Sequence, residues 1–249
     1  MYSKMNDLME QWRLVQVYVL NVKNFEQRRL FMQQQLAAFN MQAEFILDGD
    51  IEDLTPQRLA EYFSPDTNMS AAQKSCAFKH ILALQAIIAN PETGMSLILE
   101  DDAVLAKDFL QGVQRALAQS EQFPGEKVIY LGAGGNFFTP QSQRRPGQYL
   151  YPGKRGRFTD SYLIDKATAE KRLAWIMQNK VSISIDNQFD LMDKQSGIQI
   201  LWLEDPVVEQ GSKNGLFASA LEAAPPLWLK ACLFQFEKLK RKYIYQLWR

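Results

Sequence analysis

Three consecutive carboxylates follow a short apolar run and are the residues best suited to chemistry in this sequence. Residues 96–99 have the composition of a buried strand, and Glu100, Asp101 and Asp102 come directly after them. Three like charges this close repel one another and are costly to bury, so a cation, a proton or a solvated strand end must relieve them. Because strand side chains alternate, Glu100 and Asp102 should share one side and Asp101 the other. Two oxygen ligands at that spacing suit Mg²⁺ or Mn²⁺, with phosphate oxygens completing the shell; the alternative is an acidic turn after an edge strand.

Two arginines and one histidine are further candidates for ligand binding or catalysis. The guanidinium groups of Arg28 and Arg29 suit a diphosphate or a carboxylate, although a solvated helix face or a salt bridge would use them equally well. His80 is the only histidine, which excludes zinc sites built on several histidines and obliges any hydrolase triad to use it. The alternative for His80 is a structural role on the apolar face of a helix.

Asp186 and Asp190 lie four residues apart and would share one face of a helix. A carboxylate in such a position can act as a general base toward a sugar hydroxyl. The alternative for Asp186 is the role of an N-cap, in which its side-chain oxygen satisfies backbone donors at the start of the helix.

Strand-like and helix-like segments alternate along the chain and would position these residues. The predicted strands are 15–22, 43–47, 96–99, 127–131, 161–164 and 198–203. Capping signals mark the predicted helix starts at Asn24, Thr55-Pro56, Ser70 with Gln73, Asp165, and Ser184 or Asp186. This alternation predicts an α/β fold with a mostly parallel central sheet flanked by helices. The acids would then lie at the carboxyl end of a central strand, where open α/β sheets bind their ligands.

Composition limits the class of protein. The chain has 249 residues, of which 47% are hydrophobic, so one large domain is the simplest organisation. Lysine plus arginine and aspartate plus glutamate number 28 each, which gives no reason to expect a nucleic-acid partner. The two cysteines, Cys76 and Cys232, lie far apart and suit reduced thiols. The absence of a signal peptide and of any membrane-spanning run predicts a cytoplasmic protein.

Two segments lack regular periodicity or carry unusual charge. Residues 132–157 contain six glycines, three prolines and four arginines, and a connection of this length predicts a functional or mobile loop that could close over a substrate. We predict a main domain over residues 1–225, with a polar lead-in at 1–13, and a final amphipathic helix at 226–249. That helix mixes aromatic residues with six lysine or arginine residues against one glutamate, a net charge of +5. It suits contact with an anionic membrane surface, or packing on the domain with a solvated basic face.

An ordered series of short blocks resembles glycosyltransferase family 25. The blocks are Val17-Tyr18-Val19-Leu20-Asn21 with Arg28-Arg29, Cys76 to His80, Leu97 to Asp102, Ile129 to Gly132, Ser161 to Asp165 with Ala167, Asp186, and Pro206 to Ser212. The likeness spans residues 15 to 212. Ser75 and Lys79 stand where the family usually has glycine and serine.

The resemblance implies a GT-A fold, a nucleotide-sugar donor and inversion at the anomeric carbon. Glu100, Asp101 and Asp102 would then be the counterpart of the metal and nucleotide-sugar motif: Glu100 and Asp102 on Mn²⁺ or Mg²⁺, and Asp101 toward the donor. Asn21, Arg28, Arg29 and His80 would bind the UDP-sugar, and Asp186, with Asp190 beside it, would be the base.

Family members include bacterial lipooligosaccharide galactosyltransferases, so the expected acceptor is a lipid-linked oligosaccharide. The expected location is the cytoplasm, with peripheral contact at the inner face of the inner membrane. A catalytically silent nucleotide-sugar or membrane-binding protein remains an alternative. A metal-dependent phosphohydrolase fits less well, since the further histidine and aspartate ligands of a two-metal site are not evident.

Overall fold

A computed structural model of the chain describes residues 15–91 and 94–214, together with Phe236, Leu239 and Lys240. The predicted lead-in at 1–13 and nearly all of the predicted helix at 226–249 lie outside the described residues, as does Cys232. The described strands are β1 (Gln16–Leu20), β2 (Glu44–Ile46), β3 (Ser96–Glu100), β4 (Ala103–Leu105), β5 (Lys127–Tyr130), β6 (Leu150–Pro152), β7 (Ser161–Ile164), β8 (Gln199–Leu203) and β9 (Val208–Gln210). The helices are α1 (Glu26–Ala38), α2 (Pro56–Tyr62), α3 (Ala71–Ala89), α4 (Phe109–Ser120), α5 (Lys166–Asn179), α6 (Ile185–Ser196) and the short α7 (Gly211–Asn214).

Seven strands form the main sheet, in the order β2-β1-β3-β7-β5-β8-β6. Five of the seven point the same way, because β7 and β6 alone run antiparallel to their neighbours. The predicted α/β fold with a mostly parallel sheet is therefore confirmed, and it agrees with the GT-A-like architecture that the resemblance implies. Strands β4 and β9 form a separate antiparallel pair. The antiparallel central strand β7 was not predicted, and its first residues lie beside the last residues of β3.

The two faces of the sheet are covered by different helices because side chains alternate along each strand. Tyr18, Ile98 and Tyr162 face a core shared with α3, α5 and α6. Leu97 and Leu163 face the opposite core, shared with α1 and α4. The result is a three-layer arrangement in which the ends of the central strands open between the helices.

Most of the predicted helix starts are confirmed. Ser70 and Gln73 form a capping box, and the side chains of Thr55 and Asp165 each accept a hydrogen bond from the third residue beyond them. The prediction for Asn24 is wrong: α1 begins after Phe25, without a side-chain cap. Of the two alternatives for α6, Ser184 takes the cap position and Asp186 is the second helical residue.

The glycine-rich segment 132–157 is packed and not an open loop. It contains β6, which pairs with β8 at the edge of the sheet, and a short 3₁₀ turn at Gln141–Gln143. Its end is fixed by Arg157, which is buried, donates to the carbonyls of Gly132 and Leu203 at 3.2 and 3.0 Å, and pairs with Glu204. The segment after β8 contains β9 and α7. None of the helices in the described part of the chain is long and apolar enough to cross a bilayer.

Candidate active site at the end of strand β3

The three acids after β3 point in three directions because the chain turns sharply between β3 and β4. Asp101 lies against the start of α1, where its Oδ1 accepts from Arg28 Nη1 and its Oδ2 from Asn21 Nδ2, both at 2.9 Å. Burial raises the pKa of Asp101, and the charge of Arg28 opposes that effect. Arg28 and Asn21 therefore hold Asp101, and Arg28 is positioned at the same time beside the other two acids.

Glu100 points the other way and shares a threonine with Asp186. The hydroxyl of Thr159 lies 2.8 Å from Glu100 Oε1 and 2.8 Å from Asp186 Oδ1, and the Thr159 amide donates to the same Asp186 oxygen at 2.8 Å. A hydroxyl has one proton to donate, so one of its two carboxylate contacts requires a protonated acid. Burial, followed by the charge of Asp186, raises the pKa of Glu100 to about 7. Glu100 therefore holds a proton below about pH 7.

His80 is wholly buried beneath Glu100. Its Nε2 lies 3.3 Å from Glu100 Oε1, and its Nδ1 lies 3.1 Å from the hydroxyl of Tyr162. Burial lowers the pKa of His80 to about 3, so the ring is neutral. His80 therefore positions Glu100 from below.

Asp102 points toward α7 and ends beside Asp160. Its backbone carbonyl accepts from the Gly211 amide at 2.7 Å, and its Oδ2 from the Ser212 amide at 3.1 Å. The other oxygen, Oδ1, is buried without a hydrogen-bond partner among the described residues, and the same holds for Oδ1 of Asp160. Burial, with the charges of Glu100 and Asp102, raises the pKa of Asp160 well above its usual range.

Glycine is required where Asp160 meets the end of β5. A Cβ atom on Gly132 would lie 2.8 Å from Asp160 Oδ2, closer than such atoms come in proteins. Gly132 therefore makes room for the carboxylate of Asp160.

The acid cluster, defined as Glu100, Asp102, Asp160 and Asp186, fits a divalent cation. Within the described ranges, none of these four carboxylates forms an ion pair with lysine or arginine. Buried carboxylates without a counter-charge are strongly unfavourable, and carboxylate oxygens are the ligands that Mn²⁺ and Mg²⁺ prefer. The two unpartnered oxygens, on Asp102 and Asp160, are the groups that such an ion would satisfy.

A cavity of about 460 Å³ opens at Glu100, Asp101 and Asp102, a size within the usual range for small-molecule sites. Arg28 lines it, and α3 contributes Ala72, Ser75, Cys76 and Lys79. Arg29 is not among the lining residues, and neither is any residue of 132–157. The interpretation of that segment as a cover for the substrate therefore gains no support from its position.

Lys79 and Ser75, which depart from the family pattern, tie α3 to the loop after β2. Lys79 Nζ donates to the carbonyls of Leu47 and Asp48 at 2.9 Å and pairs with Asp50 at 2.8 Å. Ser75 Oγ donates to the Gly49 carbonyl at 2.8 Å. These contacts fix one wall of the cavity.

Asp190 is not brought together with the acid cluster. Its Oδ1 accepts from the Gly156 amide at 2.9 Å, and its Oδ2 pairs with Lys194 at 2.8 Å. Its contacts attach α6 to the end of the segment 132–157.

Sequence reasoning missed Thr159, Asp160 and Ser212. Thr159 and Asp160 precede β7. If β7 ran parallel to β3, they would lie at the opposite end of the strands from Glu100. The antiparallel pairing of β3 with β7 places them beside Glu100, whose amide donates to the Asp160 carbonyl at 2.9 Å. The signal that could have found Asp160 is a polar pair, Thr159-Asp160, directly before an apolar strand.

Comparison with known proteins identifies the class of this chain. The sequence profile of glycosyltransferase family 25 (LPS biosynthesis protein) matches residues 14–188. The chain is therefore a glycosyltransferase by descent. It belongs to glycosyltransferase family 25, as the ordered blocks predicted.

Two solved structures resemble this chain at low sequence identity. The crystal structure of mouse xyloside xylosyltransferase 1 in its apo form shares 13% identity at a TM-score of 0.41, over 78% of this chain and 79% of that one. A putative glucose-1-phosphate thymidylyltransferase from Bacillus anthracis, in complex with a sucrose, shares 11% identity at a TM-score of 0.38, over 79% and 71%. No curated protein matches the sequence.

Proposed function

We propose that this chain transfers a hexose, with galactose as the first candidate, from a UDP-sugar to a lipooligosaccharide or lipopolysaccharide acceptor, with inversion at the anomeric carbon. The observation that carries the proposal is the acid cluster beside a cavity of about 460 Å³, lined by Glu100 and Asp102 of that cluster, in a member of glycosyltransferase family 25. The donor occupies the cavity, with its diphosphate toward Arg28 and the acids. The acceptor hydroxyl approaches from the side of Asp186.

In this proposal Mn²⁺ or Mg²⁺ is held by Asp102, Asp160 and Glu100. When bound, the ion supplies positive charge that stabilises the departing diphosphate. The residues of the chain supply the rest: Arg28 adds a second positive charge at the cavity wall, and the Ser212 amide fixes the orientation of Asp102.

Asp186 acts as the general base. Its Oδ1 is held by the amide and hydroxyl of Thr159, so Oδ2 is the oxygen directed at the acceptor. Asp186 lies in the first turn of α6, which fixes its backbone. Oδ2 takes the hydroxyl proton, the acceptor oxygen bonds to C1 of the sugar, and the bond from C1 to the UDP oxygen breaks. The products are the extended glycan and UDP.

The direct test measures UDP release from UDP-galactose and other UDP-hexoses with a lipooligosaccharide acceptor and Mn²⁺. We expect Asp186→Asn to lower kcat by about 100-fold or more while donor binding by calorimetry is retained. Asp190→Asn is the matched control, because it changes an acid on the same helix face that lies outside the cluster, and it should keep kcat within a few-fold.

Three outcomes would contradict the proposal. Equal kcat for Asp186→Asn and wild type would remove Asp186 as the base. An intact donor under every condition would favour the silent binding protein, and acceptor-independent loss of phosphate would favour the phosphohydrolase.

The proposal places the enzyme in the cytoplasm, on the inner face of the inner membrane. The support is compositional: residues 226–249 combine a net charge of +5 with six tryptophan, tyrosine and phenylalanine residues. A lipid-linked acceptor would be reached from that surface.

A further inference from the structure

One turn of α3 and the end of β3 bring a thiol, an imidazole and a carboxylate together. Cys76 and His80 are four residues apart on α3, so their side chains lie on one face, and Glu100 approaches that face from the sheet. A ligand atom of each residue lies within 4.8 Å of the others. Cys76 is half-buried and lines the cavity, whereas His80 is fully buried. We call these three residues the Cys-His-Glu trio.

The trio has the chemistry of a zinc site and not that of the manganese site proposed for the donor. Sulfur and imidazole nitrogen select Zn²⁺ over Mn²⁺, whereas Asp102 and Asp160 offer oxygen alone. His80 is neutral and can therefore donate a ring lone pair. Its Nδ1 lies 3.1 Å from the Tyr162 hydroxyl, the kind of outer contact that orients a metal-binding histidine.

Cys76 lies in a negatively charged part of the molecule. The charges of Glu100, Asp186, Asp102 and Asp101 act on its thiol, and a divalent cation beside the sulfur would offset them.

We propose that Cys76, His80 and Glu100 bind one Zn²⁺ at the wall of the cavity, with a fourth coordination position open to the cavity. Binding forms a zinc–sulfur bond as the Cys76 thiol releases its proton to solvent. The thiol proton is the only one that must leave while Glu100 is ionised. When Glu100 is protonated its proton is released as well.

Zinc on the Cys-His-Glu trio inhibits sugar transfer. Glu100 also belongs to the acid cluster, so zinc withdraws one carboxylate from the donor metal and occupies part of the cavity. This consequence rests on the proposed function, whereas zinc binding itself does not.

The test is a zinc titration of the full chain by calorimetry, with Cys76→Ser compared to Cys232→Ser. Each variant exchanges one thiol for a hydroxyl, so the pair is matched in chemistry. We expect wild type and Cys232→Ser to bind one zinc per chain, and Cys76→Ser to bind it roughly 100-fold more weakly. Co²⁺ should give a thiolate-to-metal absorption band with wild type and Cys232→Ser, and no such band with Cys76→Ser. The affinity for Mn²⁺ should be the same in all three proteins.

Zinc affinity unchanged in Cys76→Ser, or the absence of one-to-one binding in wild type, would overturn the inference. The titration needs no donor, so it can succeed even if the chain transfers none of the sugars offered. If transfer is observed, zinc should inhibit wild type and Cys232→Ser at concentrations that leave Cys76→Ser active.

Discussion

At the scale of residues, the defining feature is the single hydroxyl of Thr159 between two carboxylates. It contacts Glu100 and Asp186 at equal distances of 2.8 Å, so its proton serves one acid and a carboxyl proton must serve the other. The amide of Thr159 also donates to Asp186 Oδ1, so two donors of one residue hold Asp186 beside Glu100.

This arrangement predicts a pH dependence of stability that Glu100→Gln removes. Burial raises the pKa of Glu100 from 4.5 to about 7, so between those values the folded chain holds a proton that the unfolded chain releases. Folding stability due to Glu100 is therefore complete below about pH 4.5 and is lost as the pH rises through 7. Relative to Glu100→Gln, wild type should lose about 3 kcal/mol of unfolding free energy between pH 4.5 and 7.5.

Urea denaturation in the presence of a chelator, at three pH values across this window, measures the effect. Glu170→Gln, at an exposed position of α5, controls for the loss of one carboxylate. Parallel pH profiles for wild type and Glu100→Gln would show that Glu100 does not hold the proton.

At the scale of elements, the position of Asp102 depends on the packing of α4. Gly112 on α4 packs directly against Val207. A Cβ atom on residue 112 would lie 2.4 Å from Val207 Cγ1. Val207 is itself held by hydrogen bonds to Leu131 and Ala106, and the strand that follows it leads to Ser212. Helix α4 thus supports the backbone amide that binds Asp102.

Gly112→Ala should therefore destabilise the fold by about 1 to 3 kcal/mol through overpacking, in spite of the higher helix propensity of alanine. The double variant Gly112→Ala/Val207→Ala should recover part of that loss, because the second substitution removes the methyl groups that the first one meets. Urea denaturation of the four proteins gives the coupling between the two sites. Simple additivity of the two substitutions would contradict the close contact.

The elements themselves were largely predictable, and the site only in part. Apolar runs and capping residues such as Ser70 and Asp165 are local signals, so they identified strands and helix starts correctly. Strand direction is not local: nothing in residues 161–164 indicates that they run antiparallel between β3 and β5. That direction decides whether Asp160 reaches Glu100, so the acids on β3 could be predicted and their partner on β7 could not.

At the scale of the whole molecule, charge is divided unevenly along a chain that is neutral overall. Residues 226–249 carry +5, so the remainder carries −5. A basic, aromatic segment on an acidic domain is drawn to an anionic bilayer, while the domain itself is repelled from it.

Replacing Arg241 and Lys242 by glutamine in the full chain should weaken binding to vesicles containing anionic lipid by about 2 kcal/mol, roughly 30-fold at low salt. The matched control replaces Lys107 and Lys154, two exposed cations of the main domain, and should bind as wild type does. Co-sedimentation measures both. Equal binding by the two double variants would remove the proposed membrane contact.

The antiparallel strand β7 also connects the two halves of the main sheet. In the sheet it alone connects the group β2-β1-β3 to the group β5-β8-β6. The acid cluster lies across this connection: Glu100 ends β3, Asp102 follows it, Asp160 precedes β7, and Asp186 belongs to α6. Loss of β7 from the sheet would separate Glu100 and Asp102 from Asp160 and Asp186. The capacity to bind a divalent ion is therefore a cooperative property, expected to appear during refolding only once β7 has paired with both groups.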